Sequence, residues 1–155
     1  IGETIGTLSS CTISTWVNYG GGSVWQRVFD FGNDTNKYMY LTPNNNGSAV
    51  RFAITKNSNG SEDGANSSSV LSTGNWEHLA VVIDGDKGTI KLYRNGDLSA
   101  IDETVSTLPK DMGQTTNNYL GKSQWSDPAF KGKIDDFRIY DSELSDGEVK
   151  YLYKN

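Results

Sequence analysis

Apolar and polar positions alternate most strictly in "CTISTWVN". There Cys11, Ile13, Thr15 and Val17 point one way while Thr12, Ser14, Trp16 and Asn18 point the other. A period of two marks a strand with one face turned inward. Further short strands are expected at Gln26–Gly32, Lys37–Thr42, Ala49–Thr55, Ser68–Leu71, Trp76–Asp84, Thr89–Arg94, Asp97–Thr104, Asn118–Gly121 and Lys133–Tyr140. The turn clusters "NYGGGS", "TPNNNGS", "KNSNGSEDG" and "DGDKG" separate them. In "KLYRNGDLSA", Asn95-Gly96 supplies the two positive-φ residues of a two-residue hairpin turn. One helix is predicted, at the C-terminal end, where Ser145 and Glu148 form a capping box and Leu144 can pack on Val149. Many short strands closely joined by turns predict an all-β fold, a two-sheet antiparallel sandwich formed by residues 1–155 as one domain.

Composition narrows the function. Only 35% of the 155 residues are apolar, and Gly, Ser, Asn and Thr make up the difference, which favours turns over long helices. A net charge of −5 leaves no basic face to compete for a phosphate backbone, so nucleic acid is excluded as a partner. Cys11 is the one cysteine, so neither an intrachain disulfide nor a thiolate cluster can form. No stretch approaches the ~20 apolar residues of a membrane span, and the first residues lack a signal peptide's plan. The chain is expected to be a mature, excised module.

Two strings imitate enzyme motifs. "LGKS" at Leu120–Ser123 would need a glycine where Thr116 stands to be a phosphate loop. "DGDKG" at Asp84–Gly88 would need a glutamate where Asn95 stands to be a helix-loop-helix calcium loop. His78, the single histidine, has no sequence neighbour to activate and is expected to be hydrogen-bonded within a sheet. Carboxylates alone suffice for glycoside hydrolysis, but here they fall mostly in turns and on the helix. Phe, Trp and Tyr form 11% of the chain. Trp16 and Trp76 lie within alternating strands and are expected in the core. Trp25 and Trp125 stand on or beside polar loops. There an indole can either lid one end of the core or stack on a sugar ring while planar polar side chains read its hydroxyls. Asp135 and Asp136 are adjacent on a strand and face opposite ways in ideal geometry. One of them either binds calcium together with backbone carbonyls or is satisfied by backbone N–H groups or Arg138.

Taken in order, "TISTWV", "WQRVFDFG", "YMYLTP", "RFAIT", "LSTGNWEHLAVVIDGDKGTIKLYRNG" and "NNYLGKSQWSDPAFKGKIDDFRIYDSELSDGEVKYLY" resemble the laminin G-like, concanavalin A-like jelly-roll modules of bacterial extracellular glycoside hydrolases of the arabinan- and xylan-degrading type. The resemblance implies two curved antiparallel sheets, secretion, carbohydrate binding and often a structural calcium, with the metal-linked acidic position at Asp135 or Asp136. It implies that Trp25, Arg27 and Tyr38 share one surface, joined by Trp125 and Asp127 from the "SQWSDP" loop. The family's usual first strand, with its aspartate-rich turn, has no counterpart in "IGETIGTLSS". Its absence would remove a calcium ligand and uncover a sheet edge open to dimerisation.

These residues together predict a noncatalytic module for plant polysaccharide, hemicellulose or pectin side chains such as arabinan or arabinoxylan, working beside a catalytic domain of the same parent chain. Arg27, Gln124 and nearby Asn side chains would contact hydroxyls. A protein-interaction or adhesion module and a spacer packed on a catalytic domain are the alternatives. Asn33, Asn46, Asn59 and Asn66 each begin an Asn-x-Ser/Thr triplet.

Overall fold

The computed structural model describes residues 1–155. The chain begins with a single helical turn, α1 (Gly2–Ile5), and continues through β1 (Cys11–Tyr19), β2 (Phe29–Gly32), β3 (Tyr38–Asn45), β4 (Ala49–Thr55) and β5 (Asp63–Asn66). It then runs through β6 (Trp76–Asp84), β7 (Thr89–Arg94), β8 (Asp97–Asp102), β9 (Asn117–Leu120), β10 (Gly132–Tyr140) and α2 (Asp146–Lys154). The strands form two five-stranded sheets, ordered β10-β1-β6-β7-β8 and β5-β4-β3-β2-β9, and every pairing is antiparallel. This is the two-sheet antiparallel sandwich the alternation predicts, in the jelly-roll form the resemblance implies.

Inward residues of both sheets build one core. Cys11, Ile13 and Val17 of β1 and Leu79, Val81 and Ile83 of β6 face Phe29 and Phe31 of β2, Met39 and Leu41 of β3, and Phe52 and Ile54 of β4. Phe137 of β10 crosses between the sheets, its ring edge-on to Phe29 at 5.7 Å and to Phe31 at 6.0 Å. Cys11 is fully buried, and desolvation pushes its thiol up to about 12, so it is a small hydrophobe rather than a reactive group.

The local signals at the hairpin and the helix are borne out. Asn95 and Gly96 take φ of 53° and 77°, closing β7 onto β8 with Arg94 opposite Asp97. Ser145 Oγ accepts from Glu148 N, Glu148 Oε2 accepts from Ser145 N at 2.8 Å, and Val149 is buried against a cluster that Leu144 joins.

Three expectations are corrected. The strand expected at Ser68–Leu71 is irregular, and the ladder instead uses Asp63–Asn66. Its "DGAN" has the composition of a turn, yet Gly64 permits the approach: a Cβ there would stand 2.2 Å from the Phe52 carbonyl oxygen. β2 begins at Phe29 rather than Gln26, because Gln26 and Arg27 still belong to a loop that folds over the outer face, while Val28 already packs in the core.

The two tryptophans expected in the core lie on the outer face of the first sheet. Trp16 packs under α2, 5.7 Å from the Tyr153 ring and edge-on to His78 at 5.5 Å. Trp76, opposite Asn18 at the start of β6, lies beyond these packed rings and is 43% exposed. Trp76→Ser is therefore expected to cost about 1 kcal/mol or less in urea unfolding, against the ~3–5 kcal/mol of truncating a core tryptophan. His78 lies in a strand as expected, but it is buried and its Nδ1 has no hydrogen-bond partner, and desolvation lowers its pKa to about 4.

Candidate functional site

The outer face of the second sheet carries the cleft. Along β3 the inward Met39 and Leu41 alternate with the outward Tyr38 and Tyr40, whose rings lie 5.8 Å apart. Two loops fold over this pair: residues 20–28, carrying Trp25 and Arg27, and residues 121–131, carrying Trp125 and Asp127.

Polar bonds fix the loops to each other. The buried Gln26 side chain donates to the carbonyls of Gly21 (3.1 Å) and Ser23 (2.8 Å) and accepts from Lys131 N at 2.6 Å. Asp30 of β2 accepts from Gln124 N at 3.0 Å. Ser123 Oγ accepts from Trp125 N at 3.1 Å and donates to Asp127 at 2.9 Å. Each loop thus hangs from several bonds to rigid strands or to the other loop, which preorganises what it presents.

Trp25, Arg27, Tyr38, Tyr40, Asn59, Glu62, Trp125 and Asp127 border one open cavity of about 240 Å³. Both indoles are half-buried. Trp125 stands edge-on to the Tyr38 ring, 4.6 Å between centroids at 82°. The Arg27 guanidinium lies over Tyr40 at 4.0 Å and is 5.7 Å from each indole. Its Nη1 donates to the Trp25 carbonyl at 2.6 Å, and its Nη2 pairs with Asp127 at 3.2 Å. Trp25 takes a φ of 63°, a conformation that costs a bulky residue on the order of 1–3 kcal/mol and persists only where its surroundings hold it. Here the holding groups are Arg27 on its carbonyl and the Asn44 carbonyl on its N–H, at 2.9 Å.

Charge in the cleft is closely matched. Arg27 is 4% exposed, and its Nε faces Asp30, itself without exposed surface, at 3.6 Å. Neither Arg27 Nε nor Asp30 Oδ1 has a hydrogen bond. Desolvation raises the Asp30 carboxyl to about 6, opposed by the Gln124 N–H and by Arg27. Glu62 accepts from Tyr38 Oη at 2.6 Å and pairs with Arg51 at 2.8 Å. Desolvation, and after it the Glu62 partner, pushes the Tyr38 phenol well above its ordinary range, so it remains a donor.

Of the residues predicted from sequence, Trp25, Arg27, Tyr38, Trp125 and Asp127 come together here. Gln124 does not. Its Nε2 donates to the Asn117 carbonyl at 2.8 Å and it does not border the cavity, so it anchors the loop. Tyr40, Asn59 and Glu62 were missed. The period of two that makes Tyr38 outward does the same for Tyr40, whereas Glu62 sits in a string with the composition of a turn.

Asp135 and Asp136 lie on β10, in the other sheet, at a bulge where Asp136 has a φ of 48°. The bulge breaks strict alternation, so both side chains are exposed while Ile134 and Phe137 pack inward. Asp135 Oδ1 accepts from Asp136 N at 2.8 Å, and Asp136 Oδ1 accepts from Arg138 at 2.7 Å. No three His, Cys, Asp or Glu side chains anywhere in the chain are grouped to hold a metal. A guanidinium is already on the Asp136 carboxylate, so of the two side chains Asp135 is the one without an ion pair.

The chain belongs to the concanavalin A-like lectin/glucanases superfamily, whose family model matches residues 3–150. Among curated proteins it is 29% identical over 108 residues to an alpha-L-arabinofuranosidase of Bifidobacterium longum subsp. longum, covering 69% of this chain and 10% of that enzyme. It is 26% identical over 134 residues to human pentraxin-related protein PTX3, covering 79% of this chain and 33% of that protein. The chain therefore matches only a small part of either relative. Among solved structures, domain 4 of AbnA, a GH43 extracellular arabinanase from Geobacillus stearothermophilus in complex with arabinotriose, superposes with a TM-score of 0.81 at 24% identity, covering 95% of this chain and 68% of that one. The CBM40 of the Ruminococcus gnavus IT-sialidase, bound to alpha2,3 sialyllactose, superposes at 0.83 with 19% identity, covering 97% and 85%. At these identities the likeness speaks for the fold.

Proposed function

We infer that the cleft binds a saccharide and that the chain is a noncatalytic carbohydrate-binding module. Its ligand is plant polysaccharide, such as arabinan or arabinoxylan, and it serves a secreted bacterial glycoside hydrolase to which it is joined. The convergence of two half-buried indoles from separate loops on one polar cavity carries this conclusion. Sugar C–H groups can rest on the rings, while Arg27, Asn59, Glu62 and Asp127 offer donors and acceptors to hydroxyls.

Charge favours a neutral sugar. Two guanidiniums, Arg27 and Arg51, stand against three carboxylates, Glu62, Asp127 and Asp30, each of them already facing a guanidinium. An anionic sugar such as the sialic acid of the CBM40 relative would meet net negative charge. The arabinotriose complex of the arabinanase domain and the partial match to an arabinofuranosidase support a neutral pentose.

The carboxylates support binding over bond cleavage. Glu62 and Asp127 are already engaged by Arg51, Tyr38, Arg27 and Ser123. Asp30, with a pKa suited to a general acid, has no exposed surface and does not border the cavity.

Calorimetric titration with arabino- and xylo-oligosaccharides tests this directly. Trp125→Ala and Trp25→Gly, the latter chosen to suit the positive φ, are each expected to weaken binding at least about tenfold, equivalent to ~1.4 kcal/mol, without unfolding the chain. Undiminished affinity in both variants would overturn the assignment. Weak binding by the isolated module suits its use, since tethering to an enzyme raises the effective concentration of the site.

A further inference from the structure

We propose that the cleft continues past Trp25 into a second compartment, so that the bound saccharide is a chain of at least two residues held across that indole rather than a single terminal sugar. This deepens the saccharide-binding assignment and rests on it.

The second compartment is an open trough of about 710 Å³ beside the first, over the outer face of β4 and β5 and the turn that joins β3 to β4. Trp25 and Glu62 border both cavities. Apart from Trp25 and Ala49, the trough is walled by Asn, Ser, Arg and Glu side chains. That is a poor lining for an apolar ligand and a good one for a ring carrying several hydroxyls.

One hydrogen-bonded track connects the two floors. Tyr38 Oη donates to Glu62 Oε1 at 2.6 Å, and Arg51 Nη2 donates to Glu62 Oε2 at 2.8 Å. Arg51 Nη1 donates to Asn66 Oδ1 at 3.0 Å, and Asn45 Nδ2 donates to the same oxygen at 3.1 Å. Arg51 also reaches back to Tyr40 Oη, at 3.3 Å, so the base of the first compartment and the floor of the trough are one rigid network. The Asn66 side-chain oxygen accepts twice, which fixes the amide plane, and the NH₂ group of this exposed residue makes no hydrogen bond within the chain, leaving it as a ready donor.

The strained Trp25 stands at the junction. Its indole is the one apolar surface that two adjoining sugars could share, which gives the unfavourable φ a purpose that a simple lid on one pocket would not require.

A length series tests the proposal: L-arabinose, α-1,5-arabinobiose and α-1,5-arabinotriose, with xylose and xylotriose in parallel, titrated against the unsubstituted chain, Trp125→Ala and the double variant Asn45→Ala/Asn66→Ala. Affinity is expected to rise at least about tenfold from monosaccharide to trisaccharide, one to two net hydrogen bonds' worth. The double variant, checked for an unchanged melting temperature, is expected to lose about 3- to 10-fold in trisaccharide affinity and distinctly less in monosaccharide affinity. Equal affinity for one and three residues would overturn the second compartment. So would a length dependence untouched in the double variant while Trp125→Ala still weakens binding; either result leaves the first cavity intact as the binding site. If no saccharide binds, or Trp125→Ala and Trp25→Gly both leave affinity undiminished, the underlying assignment falls as well.

Discussion

Arg27→Ala is expected to abolish saccharide binding and to destabilise the chain by about 3–5 kcal/mol at neutral pH, the range for removing one partner of a buried ion pair. The side chain is 4% exposed and makes four separate contacts: the Trp25 carbonyl, Asp30, Asp127 and the face of Tyr40. Its loss strands Asp30, which has no exposed surface and no other cation beside it, in a low-dielectric site. Trp25 loses the donor on its carbonyl and with it one of the groups that keep its φ positive. Arg27→Lys keeps the charge, but a point ammonium cannot reach Trp25, Asp30 and Asp127 together as the planar fork does, so binding is expected to fall there too. The decisive comparison is Arg27→Ala against Arg27→Ala/Asp30→Asn. If the stranded carboxylate is the main cost, the double variant recovers much of the lost stability, and the single variant recovers it as the buffer is taken down to pH 6, because without Arg27 to hold it down the Asp30 carboxyl rises further and takes up its proton before that point. Urea unfolding at both pH values reads this. A deficit under about 1 kcal/mol for Arg27→Ala at neutral pH would mean the pair is solvated after all.

How far these features are legible in the sequence depends on their physical range. Strand alternation and the Asn95-Gly96 turn are local, and they fix the sandwich because a period of two leaves each strand one way to face the core. Trp125 and Trp25 are legible as candidates because an indole on a polar loop is out of place in water. That they meet over the Tyr38 and Tyr40 rings depends on strand order, since β9 reaches β3 only through β2, and no local string carries that order. Trp76 misleads because alternation says which residues share a face but not whether anything covers it. α2 covers Trp16 and leaves Trp76 open. Gln124 misleads for a related reason: its side chain turns to the Asn117 carbonyl, a partner on the strand just before its own loop. Glu62 and the strand at Asp63–Asn66 hide inside a string of turn formers, and only the β4 partner makes that string extended.

The pH dependence of stability is expected to be nearly flat between about pH 4.5 and 6.5, because two buried groups titrate with opposite sign. His78 has its pKa lowered from 6.5 to about 4 by desolvation, with Asp136 and Arg138 pulling it in opposite directions. A depressed base binds fewer protons folded than unfolded, so its stabilising effect is complete above pH 6.5 and drains away as pH falls toward 4. Asp30 has its pKa raised from 3.8 to about 6, so the folded chain takes up the proton first, and stability from this group grows as pH falls through 6 toward 3.8. Across the window each is worth about 2 kcal/mol, His78 against the fold on acidification and Asp30 for it. Asp30→Asn should therefore expose the histidine and lose about 2 kcal/mol between pH 6.5 and 4.5, while His78→Gln should gain a similar amount. Below the window the hydrogen-bonded carboxylates Glu77, Asp84 and Asp102, whose pKa values are lowered, add an acid loss common to all three proteins. The comparison is of slopes rather than absolute stabilities, which keeps it clear of whatever packing each substitution disturbs. Parallel slopes in the unsubstituted chain and both variants would show that neither group carries a shifted proton, and Asp30 would then be an ordinary ion-pair partner of Arg27.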